Sequence, residues 1–223
     1  MSTDEMQAGP FSTAVRTLTG GVHRDAERSR FLDDLVAGTL PLTCYAAMVA
    51  QHWHIYAALE QAADAMRDDP VAGAFVHDGL TRLPALEADL DALLGEDWKT
   101  RSAPVPATIR YVHRLRDVCR TWSGGFVAHH YTRYLGDLSG GRFIAAAVRK
   151  AYGLPGVTGT RFYEFDGIGS PAAFKAQYRD TLDAAAWSPD ERRRVLDEVL
   201  VAYRLNIDVL HDLALGGTSS RAA

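Results

Sequence analysis

The sequence predicts an all-α protein, a single domain of helices packed around one core. Three observations predict it. Apolar residues recur at three- and four-residue steps over most of the chain. No stretch alternates apolar and polar residues for long enough to make a strand, and there is no internal repeat. Where the stripes break, proline, glycine and capping residues stand at helix starts and stops. With 223 residues, 47% of them apolar, the chain is long enough to bury a sizeable core.

The elements follow in order. Residues 1–11 are expected to be disordered. From Ser12 to Ala37, the set Val15, Leu18, Val22, Ala26, Leu32 and Leu35 describes one amphipathic helix. Thr39 and Pro41 open a second, which runs to about Met66. It carries His52 and His54, whose two-residue spacing points them in different directions and makes them poor joint chelators. Asp68 to Gly79 reads as a break, and Pro84 to Leu94 as a short helix stopped by Gly95. Pro104 and Pro106 precede a helix to about Trp122 with Ile109, Val112, Leu115, Val118 and Cys119 on its apolar face.

Phe126 to Tyr152 reads as one long helix interrupted by glycines. Gly136 and Gly140 are four apart and share a face. Each costs about 1 kcal/mol relative to alanine in a helix. A helix that accepts this is either bending or admitting something flat against its backbone. Asp137 adds one polar handle to that bare face. The segment 153–170 is irregular, with a short extended piece expected at Arg161–Phe165. Ser170-Pro171 opens a helix to about Ala186. Ser188-Pro189-Asp190-Glu191 is a capping box that starts the last helix, with Val195, Val199, Tyr203, Ile207 and Leu210 as its stripe. Residues 214–223 read as a flexible tail.

Composition narrows the function. A net charge of −4 without a basic block argues against nucleic acid as a partner. Cys44 and Cys119 are the two cysteines; with no CxxC they fit neither a disulfide scaffold nor a thiolate zinc site, and suit a reducing cytoplasm. Met1 to Pro10 has acids and no apolar core, unlike a signal peptide. No apolar run approaches the roughly 20 residues of a membrane span, so neither span nor anchor is expected.

Several residues offer binding chemistry. His23 lies between Val22 and Ala26, near the buried stripe, with Glu27 one turn further on. Imidazole is a common axial haem ligand, and its second nitrogen needs a partner to fix the ring. Lys175 and Arg179 are four apart on one helix face and suit a carboxylate clamp, although most such pairs are simply solvated. Arg16 stands two turns before His23, and Tyr131 offers a hydroxyl.

The string Ala128-His129-His130-Tyr131-Thr132-Arg133-Tyr134-Leu135-Gly136-Asp137-Leu138-Ser139-Gly140-Gly141 is far more specific. It closely resembles the signature of the haem oxygenases, where this segment is the distal helix over the haem. The resemblance spans roughly residues 12–213. The family's His-x-x-Ala-Glu pattern is met by His23 to Glu27, which implies His23 as axial iron ligand, the metal contact, and Glu27 as its hydrogen-bonding partner. His54-Ile55-Tyr56 matches the family's His-Ile-Tyr, which places Tyr56 in a distal water network with Asp137 and Arg133. Phe174-Lys175-x-x-Tyr178-Arg179 resembles the segment whose basic residues hold the propionates, with Arg16 and Tyr131 as further contacts. Tyr203 and Asn206 fall where the last helix lines the pocket. Gly20-Gly21 before His23 and Arg142 after the glycines depart from the usual pattern.

The resemblance implies an enzyme that opens haem b, its cofactor and its substrate, at a meso carbon. O2 is consumed, and electrons come from outside: from a ferredoxin and its reductase, or from an NADPH-dependent reductase. The products are biliverdin, with the IXα isomer expected by analogy, carbon monoxide and ferrous iron. Gly136 and Gly140 would bend dioxygen towards the ring, and Asp137 would deliver protons through water. The alternative is a haem carrier or sensor on the same fold, without turnover. A thiaminase-like hydrolase lacks an activated cysteine here, and a di-iron site lacks its Glu-x-x-His pairs.

Overall fold

The computed structural model describes residues 9–27 and 29–219, with side chains described for 9–20 and 29–216. Among these residues there is no strand. Ten α-helices carry the fold: α1 (Phe11–Glu27), α2 (Arg30–Val36), α3 (Leu42–Met66), α4 (Leu83–Leu94), α5 (Trp98–Arg101), α6 (Pro106–Val118), α7 (Ser123–His130), α8 (Gly136–Tyr152), α9 (Pro171–Ala184) and α10 (Pro189–Ser219). Between α7 and α8 lies a single π-helical stretch, Tyr131–Leu135.

The long α10 is the spine, packing along α1, α6 and α7, while α3 packs on α4 and α6. The core between them is built from large side chains with almost no exposure, among them Tyr45, Ile55, Tyr56, Tyr111 and Phe126. Local chemistry sets the ends of several elements. Ser188 Oγ accepts the Glu191 N–H at 3.1 Å, the contact expected of the capping box. Asp69 accepts from the N–H groups of Val71 and Ala72 and from the Ser123 hydroxyl, fixing the turn after α3 to the start of α7. Gly153 closes α8 in the left-handed conformation, φ 65°, where a side chain would be strained.

Four local expectations are corrected. The stretch 12–37 is two helices, α1 and α2, rather than one. Pro41 is the N-cap of α3 in extended conformation, not part of its first turn. The residues Arg161–Tyr163 form a 3-10 turn instead of an extended piece. Asp89 imposes it by accepting the N–H groups of both Arg161 and Phe162 at 2.8 Å. Arg82 adds bonds to the carbonyls of Phe162 and Glu164. Finally, α10 continues through Ser219, into the stretch expected as a tail.

Candidate functional site

The run from Ser123 to Tyr152 stays helical but changes pitch at Tyr131–Leu135. The break therefore lies just before the glycines, not at them. A π turn inserts one extra residue per turn and re-aims the side chains that follow, and such turns cluster at functional sites. Thr132 returns its hydroxyl to the Ala128 carbonyl at 2.8 Å, and Ser139 does the same to Leu135 at 2.7 Å. The three glycines serve different ends. A methyl built on Gly136 or Gly140 meets nothing within 4 Å, so both face open space. One on Gly141 lies 2.6 Å from the Tyr163 ring, so Gly141 is the contact that seats α8 on the 161–163 turn.

The open space is a cleft enclosing about 940 Å³, including its mouth. Gly136, Asp137 and Gly140 form one wall, and Met48, His52 and Ile55 of α3 another. Its lining is mostly apolar, with Ile144, Val209 and Leu210 contributing. A second recess continues from it past Gly136 and Tyr203, which line both. That recess is lined by Arg16, Tyr131, Ser139 and Arg179. Lys175 stands at its rim, its ammonium 3.1 Å from the Ser139 hydroxyl. Residues from α1, the π stretch, α8 and α9, far apart in sequence, thus make one cationic end to an apolar slot.

Asp137 is held from two sides. The Tyr56 hydroxyl donates to its carboxylate, and an Arg133 nitrogen lies 3.8 Å from the same oxygen. Arg133 also donates to Asn206 Oδ1 at 2.6 Å, and its guanidinium sits 5.0 Å from the centre of the Tyr56 ring. Asn206 Nδ2 reaches the Ala202 carbonyl at 2.9 Å and the Tyr111 hydroxyl at 3.4 Å. Burial pushes the Asp137 carboxyl above its usual range, with Arg133 and Tyr56 opposing the shift. Burial and the neighbouring carboxylate raise the Tyr56 phenol well above its usual value, so it stays protonated and donating. Nε and Nη2 of Arg133 are sealed from solvent without a hydrogen bond, as is Nε of Arg179.

The structure thus brings together eleven of the residues singled out in the sequence: Arg16, Tyr56, Tyr131, Arg133, Gly136, Asp137, Gly140, Lys175, Arg179, Tyr203 and Asn206. His23 and Glu27 lie on α1, but their side chains fall outside the described residues. Three participants were not singled out for the site. Tyr111 completes the chain through Asn206, Tyr163 seats Gly141, and His52 lines the cleft. For His52 a signal existed: it is four residues before Tyr56, hence on the same helix face. Tyr111 and Tyr163 come from distant segments and had none.

Residues 9–212 match the family model described as "Heme oxygenase". A protein named "Heme oxygenase" from Takifugu rubripes is 36% identical over 204 residues, 91% of this chain and 74% of that one. "Heme oxygenase 1" of Nostoc sp. is 34% identical over 203 residues, 91% of this chain and 85% of that one. Heme oxygenase-1 from the cyanobacterium Synechocystis, solved in complex with heme, shares the fold with a TM-score of 0.90 at 29% identity, covering 96% of each chain. The heme oxygenase of Leptospira interrogans gives 0.84 at 30% identity over 91% of this chain and 98% of that one. With the signature on the cleft wall and the match running almost end to end, the chain belongs to the haem oxygenase family.

Proposed function

We propose that the chain opens protohaem at a meso carbon, giving biliverdin, carbon monoxide and ferrous iron from O2 and externally supplied electrons. The observation that carries this reading is the bare step of Gly136 and Gly140 on the wall of an apolar slot, with a carboxyl group beside it. The residues fit a flat dianionic macrocycle: the lining is apolar, no side chain covers the glycines, and a cationic recess closes one end. Arg179, which lines the recess beside Arg16, is a cation such a carboxylate would meet.

In this reading Arg16, Lys175, Arg179 and Tyr131 hold the propionates, and His23 ligates the iron with Glu27 orienting its imidazole. When bound, haem supplies both the iron that activates dioxygen and the carbon that is oxidised. The protein's own part is steric and protonic. The glycine step would let the ring lie against bare backbone, with no side chain between them. Asp137 stands next to that space as the group that would pass protons to it, with Tyr56 donating a hydrogen bond to its carboxylate and Arg133, itself held by Asn206, fixing its orientation. Tyr203 and Asn206 close the far wall.

Cys44 and Cys119 form no disulfide, which supports a reducing, cytoplasmic setting. Among the described residues no helix is long and apolar enough to cross a membrane. A ferredoxin with its reductase, or an NADPH-dependent reductase, is the expected electron donor. The test is titration of the purified protein with hemin, followed by ascorbate or reductase in air. One-to-one uptake with a Soret band, then conversion to biliverdin of the IXα form, is expected. Uptake that persists unchanged in His23→Ala, or a stable oxygenated complex that never yields biliverdin, would refute the reading.

A further inference from the structure

We propose that His52 is a hydrogen-bonding residue of the cleft, holding a small polar ligand or water in the space it shares with Arg133 and Asp137. The inference rests on the haem reading of the cleft and adds a residue to it. His52 lies one turn before Tyr56 on α3, and its ring lines the same cavity as Gly136, Asp137 and Gly140. Its Nδ1 is sealed from solvent and meets no donor or acceptor. Phe162 packs against the ring, centroids 5.2 Å apart at 40°, which fixes its orientation. His54 provides the contrast: its Nε2 is 3.0 Å from the Ser102 carbonyl, and it does not line this cavity.

Buried polar atoms are rarely left without partners, because the loss of water must be made good. Among the described residues neither nitrogen of His52 has a partner; Nδ1 is sealed, so Nε2 is the one a ligand in the cavity would meet, in the space that Arg133 and Asp137 also line. An ordinary packing position on this apolar wall would be filled better by leucine, as Met48 and Ile55 fill theirs. Burial and the charge of Arg133 hold the His52 imidazole well below its usual pKa. The ring is therefore neutral, with one nitrogen donating and the other accepting. It can take either role towards a ligand without adding a positive charge beside Arg133.

Azide is the probe, because its terminal nitrogen accepts hydrogen bonds when it sits on ferric haem. Its dissociation constant is measured on the hemin complexes of wild type, His52→Leu and His52→Gln. His52→Leu is expected to weaken azide about fivefold, the scale of one hydrogen bond, and His52→Gln to stay within about twofold of wild type. Hemin uptake is titrated separately in each variant, so that azide is compared between fully loaded proteins. A second measurement needs only the folded wild type. With 15N-labelled histidine, the His52 ring signals should shift between the apoprotein and the diamagnetic ferrous carbon monoxide complex, while those of His54 should not. Equal azide affinity in wild type and His52→Leu, or unmoved His52 signals, overturns this proposal while hemin uptake stands. Failure of wild type to take up hemin overturns both readings.

Discussion

At the scale of single residues, Asp137 has the most distinctive setting. A carboxylate beside an open apolar slot is costly, and burial raises its pKa. Tyr56 and Arg133 keep it in place without sealing it from the cleft. Asp137→Asn keeps the shape and removes the transferable proton. Biliverdin formation should fall by about a hundredfold, in the range of general acid catalysis. Hemin affinity should change by less than about twofold, since Asp137 is not among the cations of the recess. A matching loss of affinity and rate would mean that Asp137 shapes the slot rather than serving the chemistry. Arg179 carries the opposite expectation. It lines the cationic recess, so Arg179→Ala should loosen hemin roughly tenfold, as for a charged hydrogen bond. Equilibrium titration at fixed ionic strength checks it.

At the scale of elements, the glycine-bearing segment separates stability from function. Gly140→Ala places a methyl in open space within a helix, so the apoprotein should melt no lower than wild type, and helix propensity favours it by up to about 1 kcal/mol. The same methyl narrows the slot, and hemin affinity or turnover should drop. Gly141→Ala inverts the pattern: its methyl meets the buried Tyr163 ring at 2.6 Å, and overpacking of that kind costs about 1–3 kcal/mol. Thermal melts of the two apoproteins beside their hemin titrations decide the matter. This segment also marks how much the sequence disclosed. Glycine spacing announced a bare face, and the signature string named its neighbours. The π turn was invisible, because Tyr131–Leu135 holds no glycine or proline to mark a change of pitch. Likewise the turn at Arg161–Tyr163 exists because Asp89 and Arg82, more than seventy residues away, hold its backbone. The π turn gives no periodic signal and the distant clamp no local one, whereas caps and stripes, which are local, were legible.

At the scale of the whole molecule, the bundle is tied where α6, α7 and α10 meet. Arg114 of α6 grips the Glu198 carboxylate of α10 with two nitrogens, and His129 Nε2 of α7 lies 2.9 Å from the same group. The His129 ring has no exposure and its Nδ1 no partner; burial first, against the pull of Glu198, lowers its pKa. Burial alone would raise Glu198, but the hydrogen bonds from Arg114 and His129 outweigh it and hold the carboxyl at about 2 against an ordinary 4.5. A depressed carboxyl binds fewer protons folded than unfolded. Its contribution is therefore complete above about 4.5 and is lost as pH falls towards about 2. Glu198→Gln should cost about 3 kcal/mol at pH 7, the scale of breaking a buried ion pair. For a domain of this size that lowers the melting temperature by roughly 10 °C. The gap between wild type and variant should close as pH drops from about 4.5 to about 2, because the carboxyl is then neutral in both states. Melts of the apoprotein at several pH values measure it directly, and a gap constant across that window would mean that Glu198 acts by shape, not charge.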